Sequence, residues 1–171
     1  MRREELRMML SGRIYKRDII EILQWRDKNA EIADALAGCI FDADERVSAN
    51  AMWVCTWGEI GSLEPVRDKL VRLAITTGNS SIRRLSLTLL ERMAWGRDDV
   101  RGDLLDFCLE RMMSSTEPSG VRALCIKIAY LQSRNYPELL EELEMTLDML
   151  KDMRMSPAVE SARKNVLKRM G

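Results

Sequence analysis

Apolar residues recur at intervals of three and four along nearly the whole chain, and no segment alternates apolar and polar residues for long. This spacing places the apolar side chains on one face of a helix. Residues that cap or break helices, mainly Gly, Pro, Ser, Asn and Asp, interrupt the pattern at intervals. The pattern predicts ten helices, at residues 2–10, 14–27, 30–41, 45–57, 64–76, 80–95, 100–113, 119–133, 137–152 and 157–169.

Short connections between successive amphipathic helices predict antiparallel pairs, and the second helices of several pairs are alike in sequence. The segment SIRRLSLTLL (81–90) superposes on GVRALCIKIA (120–129) without a gap, and AVESARKNVL (158–167) fits the same frame. One helical pair cannot bury its apolar face alone, whereas stacked pairs form a continuous core. The sequence therefore predicts a repeat protein.

The register of the more N-terminal repeat is left open by the sequence. In one alignment RVSANAMWVC (46–55) joins the frame with Val47 on Ile82. In a rival alignment the dipeptides Trp57-Gly58 and Trp95-Gly96 coincide instead. The rival alignment also places Arg46-Val47-Ser48 on Arg84-Leu85-Ser86, and the sequence does not choose between the two.

The repeat resembles the HEAT-type or armadillo-type α-solenoid. In both, two helices are joined by a short acidic or polar turn, and the second helix opens on an apolar residue followed by Arg. The segments DADERVSANA (42–51), SSIRRLSL (80–87) and SGVRALCI (119–126) carry this likeness, which covers roughly residues 30–170. Such families usually line a concave face with their second helices and bind a partner there.

The resemblance implies an all-α fold, a right-handed α-α superhelix of about five antiparallel helical hairpins in a single domain, 1–171. Ser48 and Glu160 stand where the repeat pattern favours Arg, so a regular row of arginines is not expected. The end helices are polar enough to cap the array. The hairpins are expected at residues 2–27, 30–57, 64–95, 100–133 and 137–169.

Charge and composition narrow the classes of function. Lys and Arg total 27, and so do Asp and Glu, so the net charge is zero, whereas nucleic-acid binders usually carry an excess of positive charge. The charges are unevenly placed: residues 31–65 hold seven acids and one base, and residues 66–102 hold eight bases and four acids. We therefore expect acidic and basic regions that cancel in the sum.

The chain has no His, which removes the His-dependent nucleophile arrangements and imidazole metal ligands. The four cysteines, Cys39, Cys55, Cys108 and Cys125, show no zinc-like spacing and lie in apolar helical contexts. We expect buried, reduced thiols in a cytoplasmic protein. No signal peptide and no membrane span are predicted, and neither are catalytic residues, metals or cofactors.

The predicted helix 45–57 has two distinct faces. Asn50, Trp53 and Trp57 form a stripe, and Trp53 corresponds to polar positions in the other repeats. Exposed Trp is typical of binding hot spots, and the alternative is that both tryptophans pack between repeats. Cys55 lies in the apolar stripe, away from any base that could activate it. The residues predicted to face the core are Val47, Ala51, Val54 and Cys55.

Polar and aromatic residues, Arg83 and Arg92 among them, occupy the predicted outward positions of the second helices. The planar fork of Arg binds carboxylate or phosphate through two hydrogen bonds, so these positions could grip an acidic peptide. The alternative is a solvated face with paired charges. The predicted partner-binding residues are Trp53, Trp57, Arg84, Thr88, Glu91, Lys127, Tyr130 and Arg134.

A cluster of carboxylates follows Pro137. Paired carboxylates occur in acid–base and metal sites, but carboxylates near the start of a helix also complement the helix dipole. The dipole accounts for the cluster without invoking chemistry. Its members are Glu138, Glu141, Glu142, Glu144 and Asp148.

Together these features predict a non-enzymatic scaffold that presents a concave surface to a protein or peptide partner. The alternative is a nucleic-acid-binding HEAT-like protein related to the DNA alkylation repair glycosylases, which hold duplex DNA on a positively charged concave face. The zero net charge and the acidic 31–65 segment count against that alternative. A third possibility is an accessory subunit whose role lies entirely in assembly.

Overall fold

The computed structural model describes residues 1–171 as ten α-helices joined by short connections, without a β-strand. The all-α prediction is confirmed, and every predicted helix has its counterpart. Short 3-10 turns lie at Gly61–Val66, Arg97–Asp99 and Leu150–Asp152. The helices are α1 (Arg3–Ser11), α2 (Lys16–Lys28), α3 (Ala30–Cys39), α4 (Glu45–Thr56), α5 (Arg67–Thr76), α6 (Ser80–Arg92), α7 (Gly102–Met112), α8 (Ser119–Ser133), α9 (Pro137–Met149) and α10 (Pro157–Met170).

Three helix boundaries differ from the prediction by three residues, and the others by at most two. Helix α5 begins only at Arg67, because Pro65 lies in a 3-10 turn and has no N–H to donate. Helix α6 ends at Arg92 because the next residue, Met93, is extended, with φ −73° and ψ 158°. Helix α9 ends at Met149, where the chain tightens into a 3-10 turn, as helix ends often do.

The chain divides into two compact units, Met1–Met93 with α1–α6 and Ala94–Gly171 with α7–α10. In the first unit α1 packs on α3 and α4, α2 packs on α3, and α6 packs on both α4 and α5. Leu6, Leu10 and Leu36 are among the fully buried core residues. The first two helices thus bury their apolar faces mainly against the next pair.

The second unit is organised around α8, which packs on α7, α9 and α10. Trp95 is only 2% exposed and belongs to this core. It lies before α7 in the chain, outside any helix, whereas the sequence pattern placed it at the end of the preceding helix. Trp95 therefore closes the core of the second unit just after the end of α6 in the chain.

A buried side chain links the two helices of successive pairs. The Nε atom of Arg83 in α6 donates to the carbonyl of Ala74 in α5 at 3.0 Å, and Arg122 in α8 donates to Met112 in α7 at 2.9 Å. Arg163 in α10 donates to Leu147 in α9 at 2.8 Å. The last carbonyls of a helix lack intrahelical partners and carry partial negative charge, so a guanidinium is well suited to them. The three arginines are at most 9% exposed.

The hydroxyl of Ser48 in α4 donates in the same way to a carbonyl at the end of α3. It donates to the carbonyl of Ile40 at 2.6 Å and is buried. At the other departure from the repeat pattern, Glu160 pairs with Lys164 on the surface at 3.0 Å, and Arg163 supplies the buried donor instead. Each of the four second helices α4, α6, α8 and α10 therefore carries one buried donor, although its position in the repeat frame shifts at Arg163.

The prediction that Arg83 faces outward is wrong. It is 9% exposed, because its side chain points toward α5 and donates to the Ala74 carbonyl, whereas Arg84 is exposed. Periodicity alone does not separate two adjacent arginines near the edge of an apolar stripe. The long apolar stem of Arg83 also packs well between α5 and α6, while its guanidinium reaches carbonyls that have no partner within their own helix.

The structure supports the register that places Val47 on Ile82. Asp44 caps α4 by accepting from the amide of Arg46, and Asn79 caps α6 in the same way. The donor of each helix then follows at the same distance from its cap, as Ser48 and Arg83. The rival register would bring neither the caps nor the donors together.

Replacing Arg83 with Ala is expected to lower the free energy of unfolding by about 2 kcal/mol, because buried carbonyls at the end of α5 lose a charged donor. Arg84→Ala is the matched control, since the adjacent side chain is exposed, and it should change the free energy by less than about 0.5 kcal/mol. Urea unfolding followed by circular dichroism measures both. Equal losses in the two variants would contradict the role assigned to Arg83.

Candidate interaction groove

Helix α4 directs its tryptophans outward. The residues predicted to face the core, Val47, Ala51, Val54 and Cys55, are all buried, at 3% exposure or less, which fixes the rotation of the helix. Trp53 is 37% exposed and Trp57 is 48% exposed. These fractions are high for tryptophan, which is usually well buried.

Asn50 connects this face of α4 to the chain between α1 and α2. Its side-chain amide donates to the carbonyl of Leu10 at 2.8 Å and to the carbonyl of Gly12 at 2.9 Å. Ile14, which follows in the same segment, is 7% exposed. The segment is therefore held against α4 by two hydrogen bonds and an apolar anchor, and it forms a second wall opposite the tryptophans.

Cations lie beside the aromatic rings of both walls. The guanidinium of Arg13 is 5.2 Å from the centre of the Tyr15 ring, and that of Arg17 is 5.5 Å from it. The ammonium of Lys16 is 5.7 Å from a ring centre of Trp57. Attraction between a cation and the face of a ring contributes roughly 0.5–1 kcal/mol at exposed sites. These contacts favour extended positions of the long basic side chains along the surface.

Between the two walls lies a groove of about 680 Å³, which we call the Trp groove. No Asp or Glu is among its lining residues. Asp18 is close in sequence, but its carboxylate accepts from the amide of Tyr15 at 2.7 Å and caps α2. The Trp groove is lined by Gly12, Arg13, Ile14, Tyr15, Lys16, Arg46, Asn50, Trp53 and Trp57.

Two arginines fix the end of α4, where Trp57 lies. Arg92 donates to the carbonyls of Thr56 and Gly58, at 2.6 and 2.8 Å, and Arg26 donates to the carbonyl of Glu59 at 3.4 Å. A Cβ atom on Gly58 would lie 2.6 Å from the Arg26 guanidinium, so glycine allows this close approach. Because its backbone is anchored on both sides, Trp57 is held at the rim of the groove.

The predicted residues of α6 lie outside the lining of the Trp groove. Arg84 is exposed, while Thr88 and Glu91 are half-buried. The Thr88 hydroxyl donates to the carbonyl of Arg84 at 2.7 Å. Of the five predicted binding residues in the first unit, the structure therefore brings only Trp53 and Trp57 together in one groove.

The remaining three predicted residues belong to the second unit. Lys127 is exposed on α8. Tyr130 is half-buried, with the guanidinium of Arg169 at 4.7 Å from its ring centre. Arg134 donates to the carbonyl of Trp95 at 2.7 Å, so part of its hydrogen-bonding capacity serves the unit's own backbone.

Sequence reasoning missed the wall formed by Gly12 to Lys16 and the contribution of Arg46. The signal was present, since RIYKR (13–17) interleaves basic and apolar or aromatic residues directly after a helix break. Its position opposite α4 was not accessible, because it depends on contacts between residues some 40 positions apart, such as those of Asn50.

The carboxylates of the acidic cluster on α9 are all exposed to solvent. Glu138 lies in the first turn, as the dipole argument expects. Asp148 accepts a hydrogen bond from Lys151, with the two charged groups 2.7 Å apart, and this bond lowers the pKa of the Asp148 carboxyl. Glu141, Glu144 and Asp148 border a cavity of about 360 Å³ together with Lys151 and Arg163. No group of three or more Cys, Asp or Glu side chains is arranged to hold a metal ion.

All four cysteines are buried and unbridged, as predicted. Burial raises the pKa of the Cys55 thiol to about 12. Burial, together with a hydrogen bond to Cys125, raises the pKa of the Cys108 thiol as well. A thiol must be deprotonated to act as a nucleophile, so these positions are unreactive in the folded protein.

We expect a thiol reagent at pH 8 to modify none of the cysteines of the folded protein and all four after denaturation. Folding keeps Cys55 protonated up to pH about 12, whereas the unfolded thiol ionises near its ordinary value of 9.0. The contribution of the protonated Cys55 thiol to the free energy of unfolding is therefore complete below pH 9 and is lost as the pH rises toward 12. The free energy of unfolding of a Cys55→Ala variant should fall less steeply over that range. Rapid labelling of the native protein would contradict this account.

None of the ten helices combines the length and the apolar character that crossing a membrane requires. The family profile of the HEAT repeat domain matches residues 6–170. No curated protein and no solved structure gives a significant match. The matched region contains all four buried donors, Ser48, Arg83, Arg122 and Arg163, each on the second helix of a pair. On the fold and on this match, the chain belongs to the HEAT repeat domain family.

Proposed function

We propose that this protein is a non-enzymatic scaffold that binds a protein or peptide partner, with the Trp groove as its principal contact surface. The observation that carries the proposal is the exposure of Trp53 and Trp57 in one groove. HEAT repeat domains are helical scaffolds often used for protein interaction. Exposed tryptophans in concave surfaces are typical of residues that dominate binding energy.

The chemistry of the side chains supports a binding role over a catalytic one. The chain lacks His, and its thiols are buried with raised pKa values at Cys55 and Cys108. General bases and nucleophiles usually have pKa values shifted toward neutrality and lie in accessible clefts. Neither property is found at these two cysteines.

We further propose that the contact surface extends beyond the Trp groove to the exposed Arg84 and its neighbours on α6, Thr88 and Glu91. In the second unit, we propose three contact residues on α8 and at its C-terminal end: Lys127, Tyr130 and Arg134. The four unbridged cysteines favour a reducing compartment, so a cytoplasmic location belongs to the same proposal.

Replacing Trp53 and Arg84 with Ala should weaken partner capture while leaving the melting temperature nearly unchanged, because both side chains are exposed. We expect roughly a 30-fold or greater loss of affinity from the tryptophan alone, the size typical of a hot-spot residue. The measurement is quantitative mass spectrometry of proteins retained from a lysate of the native cells, followed by calorimetry with the retained partner.

Trp25→Ala is the matched control, because Trp25 is exposed to a similar degree, 39%, and does not line the Trp groove. It should retain the same proteins as the unaltered chain. Equal capture by the double variant and the unaltered chain would refute the groove as the contact surface. Unfolding of the double variant would show that Trp53 and Arg84 serve the fold instead.

A further inference from the structure

We propose that the Trp groove binds an extended, acidic peptide segment that carries at least one large apolar residue. This inference rests on the proposed function and specifies the chemistry of the partner. The groove offers two kinds of surface, an aromatic one and a cationic one. Each selects a different part of such a segment.

The aromatic surface accounts for the apolar residue. Trp53, Trp57 and Tyr15, which is 48% exposed, face the groove, and the buried Ile14 closes its floor. Rings held in place by the backbone lose little conformational freedom when a ligand covers them, so most of the burial contributes to affinity. An apolar side chain lying between the rings would remove this surface from water.

The cationic surface accounts for the acidic residues. Arg13, Lys16 and Arg46 line the groove, and no carboxylate of the protein lines it with them. In a chain of zero net charge, three cations without an acid in one groove are a local imbalance. A partner that brings carboxylates meets this charge and gains association rate and specificity.

The groove is also built before the partner arrives. The side-chain amide of Asn50 donates to the carbonyls of Leu10 and Gly12 at 2.8 and 2.9 Å, which holds the segment between α1 and α2 in place. The carboxylate of Asp18 accepts from the backbone amide of Tyr15 at 2.7 Å. Contacts with the aromatic rings restrain Arg13 and Lys16. A segment that binds here would therefore bear most of the ordering cost itself, as extended peptides do.

The surroundings of the groove favour a peptide over a nucleic acid. A polyanion needs a continuous basic track, because its affinity comes from many phosphate contacts. Arg46 is the only base among residues 31–65, which hold seven acids, and it directly follows Asp44, the N-cap of α4, and Glu45, the first residue of α4. Phosphates extending past the groove would meet these carboxylates, whereas a short segment with its charges confined to the groove would not.

The first test selects binders from a displayed library of random twelve-residue peptides on the immobilised chain. We expect enrichment of Asp and Glu around one large apolar residue, and loss of the selected peptides from the Trp53→Ala variant. The Trp25→Ala variant, with its altered tryptophan outside the groove, should keep them.

The second test measures the affinity of the selected consensus peptide for a Lys16→Glu and Arg46→Glu double variant. Both residues lie in the first turn of their helices, where a carboxylate suits the helix dipole, so this variant should fold. We expect about a tenfold or greater loss at 50 mM salt that shrinks to about threefold at 0.5 M. Lys28→Glu with Arg2→Glu, exposed positions outside the groove, makes the same charge change and should stay within about twofold of the unaltered chain.

The outcomes separate the two proposals. Binders that need Trp53 but show no excess of acidic residues would overturn this inference and leave the proposed function intact. Binders indifferent to Trp53, or no binders at all, would overturn both. Binding of a 20-nucleotide single strand or duplex that is tighter than that of the consensus peptide and depends on Lys16 and Arg46 would replace the peptide with a nucleic acid.

Discussion

The fold depends on a hydrogen bond from a buried side chain on the second helix of a pair to the last carbonyls of the first helix. Arg83, Arg122 and Arg163 make this bond, and Ser48 makes it with a hydroxyl. A helix that ends inside a stack leaves carbonyls that water cannot reach, and each unpaired group would cost roughly 1–3 kcal/mol. In the four pairs from α3–α4 to α9–α10, one such donor removes part of this cost.

The same bond decides which polar residues remain available at the surface. Three arginines predicted to face outward donate to backbone carbonyls instead, Arg83 in the core and Arg92 and Arg134 at helix ends. Two adjacent arginines of α6 differ in this respect, since Arg83 is buried and Arg84 is exposed. A binding surface on such a scaffold is therefore formed by the polar side chains that do not donate to carbonyls at the helix ends.

The helices, the core face of α4 and the stripe of Asn50, Trp53 and Trp57 were predictable from the sequence, because each follows from the spacing of apolar residues within one helix. The direction of Arg83 was not, since it is determined by carbonyls on another helix. The second wall of the Trp groove was not predictable for a similar reason. Its position depends on the bonds from Asn50 to Leu10 and Gly12, which no local pattern encodes.

The two Trp-Gly dipeptides follow the second helices α4 and α6, although they are not equivalent positions in the register that the structure supports. At both, an arginine from a later position donates to the local backbone: Arg92 to Thr56 and Gly58, and Arg134 to Trp95. The side chains nevertheless diverge, since Trp95 is 2% exposed and Trp57 is 48% exposed. The hydrogen bonds that cap the backbone at these two dipeptides therefore do not require an exposed ring. Exposed aromatic surface is unfavourable in water, and the partner proposed for the Trp groove would cover the ring of Trp57 beside Lys16.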